Sequence, residues 1–286
     1  MTSSRHTKAQ LLRHLKQIGV EEGDILFVRA EIGKIGRVVG GGDTILEALL
    51  ESVGETGTIL TLGFTDITPR WKLDNSEVFT EKTKSNTGAL AKLFMRNISC
   101  KRSHHPVNSF LAIGQKANEL LEGHTADSLS YAPMNKLREN NARMLVVGCV
   151  ENSPGFTTVH SVQENLGLTK KSWFSGVAGA LYIKNGQTCK YIKKDFGGCS
   201  AGFSKFYSKY LQKEVLSVGY IGNAYSLQIP MKKAYEIEYS CILENNKFFL
   251  CDDLTCFSCR VSWKNNFSGI PFFFFGKFLQ LLRPGK

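Results

Sequence analysis

GDILFVRAEIGKIGRVVGGGDTILEALLESVGETGTILTLGF, residues 23–64, decides the fold class. Asp24 to Val28 contains a short apolar run with no alternation, the pattern of a strand buried on both faces. Gly40, Gly41 and Gly42 then form a loop, and Asp43 or Thr44 caps a helix whose apolar stripe is Ile45, Leu46, Leu49 and Leu50. Gly54-Glu55-Thr56-Gly57 stops that helix, and Thr58 to Leu62 reads as the next strand. Strand, glycine loop, helix and strand make the βαβ unit of an α/β sheet.

Working outward, Leu11, Leu12, Leu15 and Ile18 predict a helix over 7–18, with Gly19 as its stop. Helices are also expected near 87–96 and 115–122, strands at 109–113 and 144–149, and helical spacing in TTVHSVQENLG. The long polar stretch 66–86 is of the kind that carries function or local structure of its own. From about 170 the pattern turns β-like, and Asn185-Gly186 is a hairpin turn signal. The expectation is an α/β protein with a mixed sheet flanked by helices and a more β-rich C-terminal part. It divides into one domain over 1–260 with insertions and a basic, Phe-rich tail over 261–286.

The chain carries 36 Lys plus Arg against 25 Asp plus Glu, a formal charge of +11. Such a balance suits an anionic partner, yet no nucleic-acid recognition motif or concentrated basic helix is present, so no nucleic-acid partner is expected. From residue 260 onward Arg260, Lys264, Lys277, Arg283 and Lys286 face no acidic residue, so five of the eleven charges belong to the tail. Phe272 to Phe275 lie in that tail, in a run too short to span a bilayer. Docking on the domain, contact in a homodimer, or weak contact with a membrane surface are its three readings. The polar N-terminus lacks the apolar core of a secretory signal, and eight Cys in a long chain do not make a disulfide scaffold, so a cytoplasmic protein with reduced thiols is expected.

Four constellations bear chemistry. The 40–42 loop opening a helix presents free N–H groups to an anion, with Arg29, Lys34 and Arg37 as nearby cations, although it matches neither a dinucleotide fingerprint nor a P-loop. His104-His105-Pro106 lacks metal-ligand spacing and reads better as a polar loop lining a cleft. His160 stands where the 144–149 strand gives way to a helix, the place where α/β sheets bind ligands, and is the best-placed general base. Cys251, Cys256 and Cys259 form C-x4-C-x2-C, in which only the second spacing is a metal-like half site; Asp252 or Asp253 is the available fourth ligand, and plain thiols in a β-hairpin are the alternative.

Together these segments resemble the aminoglycoside 3-N-acetyltransferase family. The resemblance is carried by residues 21–65, by RSHHPVNSFLAIG (102–114) against an R-S-x-H-P-x-x-S pattern, and by LVVGCVENSPGFTTVHSVQENLG (145–167) against a strand, a Thr-rich turn and a His. It covers about residues 7–200. It implies transfer of an acetyl group from acetyl-CoA to an amine of an aminoglycoside or related amino sugar, with no metal and no bound prosthetic group. His160 falls on the family's essential base, and Asp195 in KKDFGGCS falls on its acidic partner. Thr157 and Thr158 would supply donors to the thioester oxygen, whose charge grows as the tetrahedral intermediate forms. Arg29, Lys34, Gly36, Gly40 and Gly41 would hold the cofactor, with Ser103, His105 and Thr157 on the same cleft.

Two departures stand out. The family's H-S-S-L is Arg29-Ala30-Glu31-Ile32, and its H-x-x-E is His160-Ser161-Val162-Gln163, with the carboxylate one residue later at Glu164. Positions three and four residues on share a helix face, so Glu164 remains a catalytic candidate. Direct transfer is the leading expectation. A ping-pong route needs an acyl-accepting nucleophile, for which Cys199 is the candidate beside Asp195. The rival class is a non-catalytic protein on the same fold that binds CoA or an anionic surface.

Overall fold

The computed structural model describes residues 5–171, 173–195, 198–264 and 266–282. Arg283 and Lys286 of the tail, and Phe196-Gly197 of the KKDFGGCS segment, therefore lie outside the described residues. The chain runs α1 (Lys8–Gln17), β1 (Ile25–Ala30), α2 (Gly41–Val53), β2 (Thr58–Leu62), β3 (Thr68–Pro69), β4 (Val78–Phe79), α3 (Ala89–Arg96), β5 (Lys101–Arg102) and β6 (Phe110–Gly114). It continues α4 (Ala117–Leu121), α5 (Pro133–Glu139), β7 (Arg143–Val147), α6 (Thr158–Asn165), β8 (Ala178–Lys184), β9 (Gln187–Ile192), α7 (Phe206–Gln212), β10 (Ser217–Ile221), β11 (Ala224–Pro230), α8 (Met231–Glu244), α9 (Phe257–Arg260) and α10 (Gly269–Leu281).

Seven strands form the main sheet in the order β10-β11-β7-β1-β2-β6-β5. Its centre is parallel, with Phe27 opposite both Leu60 and Met144, and its flanks are antiparallel. This is the mixed sheet expected. Alternation along β1 explains why the run is apolar throughout: Ile25 and Phe27 join the core on one face, Leu26 and Val28 the core on the other. Helices α1, α2 and α3 cover the second face, while α4 to α8 cover the first.

A smaller sheet places β8 between β3 and β4 and pairs it with β9 through the Asn185-Gly186 turn, where both residues have positive φ. The polar stretch 66–86 contributes β3, a short 3₁₀ turn over Arg70–Asn75, and β4. β-rich character holds over the two hairpins, but from Met231 the chain is helical among the described residues. The Cys251–Cys259 segment is accordingly a loop leading into α9, not a hairpin. The core also runs past residue 260, since Trp263 and Asn266 are buried.

Helix α2 starts at Gly41, two residues before the expected cap, because Gly40 takes a left-handed φ of 81° and turns the chain early. In the tail, Gly276 of α10 sits against Leu254 and Thr255, while Phe272, Phe274, Phe275 and Phe278 face outward. No helix among the described residues is long and apolar enough to cross a membrane.

Candidate active site

The sheet's connections reverse direction between β1 and β7: β1 leads through α2 to β2 on one side, while β7 pairs with it on the other. Open α/β sheets bind ligands at such a point, beyond the carboxyl ends of the strands. Both loops leaving β1 and β7 meet there. Glu31 N–H donates to Val147 O at 2.9 Å, and Gly148 allows the crossing because a Cβ on it would stand 2.9 Å from the Lys34 Cβ.

Helix α6 follows the β7 loop and carries His160. Its ring stacks on Tyr131 at 4.6 Å and meets Phe203 edge-on at 4.9 Å, and its Nδ1 lies 3.0 Å from Gln163 Oε1. An amide oxygen accepts, so Nδ1 carries the proton and Nε2 is left with its lone pair. Among the described residues Nε2 has no hydrogen-bond partner, and the side chain keeps partial exposure. Burial, with Arg29 and Lys193 nearby, pushes the imidazolium pKa down to about 4, against weaker opposing effects from Gln163 and Asp195. His160 is therefore a neutral imidazole at pH 7 with one nitrogen free to accept a proton.

The expected Asp195–His160 pair is not formed. Asp195 accepts from Ser130 N–H at 3.3 Å, pairs with Lys193 Nζ at 3.6 Å and hydrogen-bonds to Glu164. Lys193 also donates to Asn108 Oδ1 at 2.7 Å and to Ser130 Oγ at 3.2 Å. Glu164 accepts from Tyr131 N–H through both oxygens at 3.1 Å. Burial and then the Asp195 charge hold Glu164 well above the ordinary carboxyl range; Asp195 is driven upward by burial but ends below its usual value because Lys193, Ser130 and Glu164 outweigh it. The two carboxyls thus share one proton, with Glu164 as donor and Asp195 as the ion. They sit behind the imidazole as a buried block, not as its orienting acid. Gln163 has that role.

Ser103 and His105 fall in the wall next to this block. Ser103 Oγ accepts from Phe110 N–H at 2.8 Å and lies 2.9 Å from His124 Nδ1, so it spans the two as donor and acceptor. His105 Nδ1 accepts from Val107 and Asn108 N–H, leaving a buried Nε2–H with no partner among the described residues. Its ring stacks on His124 at 4.9 Å, and burial holds both rings neutral, at about 3 for His105 and about 4 for His124. His104 points the other way, exposed and 3.6 Å from Glu81, which ends the reading of the two as paired ligands. Ser109 Oγ donates to Gly63 O, and Arg102 holds Ser109 and the 63–83 loop.

Thr158 departs from its expected place. Its hydroxyl donates to Glu238 Oε1 at 2.6 Å, alongside Tyr210, inside the α6–α7–α8 packing. Burial pushes Glu238 up to about 8. The Thr158 side chain is thus committed to the core, and the Thr157 hydroxyl and backbone N–H groups at the start of α6 remain as oxyanion donors. Thr157 is buried at that start and makes no side-chain cap.

Of the cofactor candidates, Arg29 spends its guanidinium on Gly155 O and on Ser153, bracing the loop before α6. Lys34 is paired with Glu31 at 3.1 Å on the surface. Gly36 packs against Asn223 of the β10–β11 turn, where a Cβ would come within 2.7 Å. Gly40 and Gly41 remain at the open start of α2. A surface hollow of about 860 Å³ lined by Gly54, Gly57, Lys101 and Gln115 lies at the opposite end of the strands and holds none of these groups, so its size carries no weight here.

An α/β sheet with a free imidazole nitrogen at its switch point has the architecture of a ligand-binding α/β fold and one group able to accept a proton there. The chain belongs to the aminoglycoside 3-N-acetyltransferase family, whose profile matches residues 27–241. It is 27% identical over 187 residues to aminoglycoside N(3)-acetyltransferase III of Salmonella sp., a match covering 59% of this chain and 64% of the relative. The chain thus matches a little under two thirds of that relative's length. Among solved structures, AAC-IIIb bound to CoASH superposes with a TM-score of 0.75 at 20% identity, covering 84% of this chain and 97% of that one. The apoenzyme of aminoglycoside acetyltransferase AAC(3)-IVa superposes with a TM-score of 0.74 at 19% identity, over 90% and 96%. These likenesses establish the fold.

Lys193, Ser130, Asn108, Tyr131 and His124 were not legible as site residues. One signal existed for Lys193: it stands two residues before Asp195, with which it pairs.

Proposed function

We propose that the protein transfers the acetyl group of acetyl-CoA directly to an amine of an aminoglycoside or related amino sugar, with His160 as general base. The observation that carries this reading is the His160 ring: Nδ1 is held by Gln163, the faces are held by aromatic walls, and Nε2 is free. Family membership and the CoASH complex of a structural neighbour support the two substrates.

As the amine nitrogen bonds to the thioester carbonyl carbon, its acidity rises steeply, and Nε2 takes the proton released. The C–S bond then breaks, and the proton passes to the departing CoA sulfur. A base held near pKa 4 is too weak to strip a free alkylammonium, so the acceptor enters as its neutral amine, having lost its proton to solvent, and Nε2 takes the N–H proton once the new bond has made that nitrogen acidic. Backbone N–H groups at the start of α6 would take the developing oxyanion, and the open start of α2 the anionic groups of the cofactor.

Incubating the chain with acetyl-CoA and a panel of aminoglycosides and amino sugars, and following free-thiol release, tests the reading. Amine-dependent release that is lost in His160→Ala supports it. CoA binding without release on any amine would favour the non-catalytic alternative.

A further inference from the structure

Four cysteines from two distant parts of the chain converge beside the active site. The Sγ atoms of Cys199, Cys251, Cys256 and Cys259 all lie within 4.8 Å of one another, and none of the four is in a disulfide. Cys251 and Cys259 are buried, and the other two are partly exposed. We propose that they form a structural zinc site that ties the strand-end segment bearing Cys199 to the C-terminal module.

A tetrahedral zinc with Zn–S bonds of about 2.3 Å sets its sulfurs roughly 3.8 Å apart. The cluster meets that geometry with a contraction of about 1 Å at its widest pair, within reach of small χ1 rotations. Thiolate-only, four-coordinate donation selects zinc over the hard cations, and a closed shell with no open position is the structural rather than the catalytic form.

Backbone donors reach two of the sulfurs. Cys251 N–H donates to Cys259 Sγ at 3.4 Å, and Ala201 N–H donates to Cys199 Sγ at 3.3 Å. Such N–H to sulfur bonds orient metal-bound thiolates and spread their charge. Zinc with four thiolates carries two net negative charges; Arg260 flanks it, donating to Cys251 O at 2.6 Å, as does Lys205, which donates to Leu250 O at 2.8 Å and is itself paired with Asp252 at 2.6 Å. Asn266 donates to Cys259 O at 2.8 Å and holds the far side of the C-x2-C turn.

The site has a mechanical consequence. Gly202 packs directly on the 249–251 backbone, where a Cβ would stand 2.3 Å from Phe249 O, and Phe203 next to it forms the edge-on wall of His160. A metal bonding Cys199 to 251–259 would fix that wall. It also removes Cys199 as an acyl-accepting nucleophile, because its lone pair would be committed to the metal. Binding releases the thiol protons to solvent and involves no redox change.

The test uses the full chain, purified without chelator and without a metal-affinity tag from zinc-supplemented medium. Mass-spectrometric metal analysis should find about one zinc per chain, retained through dialysis and released when a mercurial titrates the thiols. Cys256→Ser and Cys199→Ser should drop the content to trace and lower Tm. Should those variants fail to fold, cobalt substitution of the wild type gives the same answer: intense tetrahedral thiolate-to-cobalt absorption supports the site. Trace zinc with no such spectrum overturns the proposal, as does a mass four protons light with the four thiols blocked as disulfides.

Discussion

At the residue scale the centre of the molecule is a single hydrogen bond, His160 Nδ1 to Gln163 Oε1. A neutral amide fixes the tautomer as a carboxylate would, but contributes no charge to stabilise the imidazolium. Burial then dominates, and the ring falls to about 4. Removing the imidazole in His160→Ala should lower kcat/KM by roughly 10²–10⁴, the range for loss of a general base; a variant at the wild-type rate would sink the assignment. Gln163→Glu restores a negative acceptor and should raise the ring's pKa by about 1–3 units. The base works deprotonated, so the acid limb of kcat/KM should begin near pH 4 in the wild type and move upward in this variant. An unmoved limb would mean that another group titrates there.

At the element scale, α6 separates two kinds of polar side chain. His160 and Gln163 serve the cleft, whereas Thr158 serves the interface with α7 and α8 through Glu238. Thr158→Val keeps the shape and removes a buried hydrogen bond, which should cost about 1–3 kcal/mol in denaturant unfolding. A hundredfold loss of turnover with unchanged stability would instead return the hydroxyl to the reaction. Arg29 acts on the same helix from outside. Its bonds to Ser153 and Gly155 hold the approach to α6, so Arg29→Ala should raise KM and lower kcat together rather than abolish CoA binding. Loss of CoA binding alone, measured by calorimetry, would make it a phosphate ligand after all.

At the scale of the whole molecule, buried titratable groups set the pH dependence of stability. His105, His124 and His160 are neutral in the fold but protonate near pH 6.5 when unfolded, so between about 4.5 and 6.5 they make stability rise with pH. Glu164 and Glu238 are protonated in the fold but ionise near 4.5 when unfolded, so they make stability fall as pH rises. Among these five groups, three protons oppose two below the histidine range, and the two carboxyls act above it. Maximum stability should therefore lie near pH 6.5, as read by Tm across pH 4.5 to 8. A Tm that climbs steadily to pH 8 would show that the two glutamic acids are ionised in the fold. The charge of +11 likewise takes its meaning from position: Arg29 braces a loop, Arg102 holds another, and Arg260 flanks the four-cysteine cluster.

Local information was enough for the class of fold and for the position of His160. Apolar runs, helical spacing and glycine stops are properties of a few consecutive residues, and they located β1, α2, β2, β7 and the hairpin at Asn185-Gly186 before any contact was known. Tertiary structure alone decided which groups touch. Asp195 closes on Glu164 rather than on His160, Thr158 turns to Glu238, and Cys199 completes the set begun at Cys251. Each of these outcomes depends on where a side chain ends up once the sheet and helices have packed, and no spacing along the chain encodes a partner that only folding brings near.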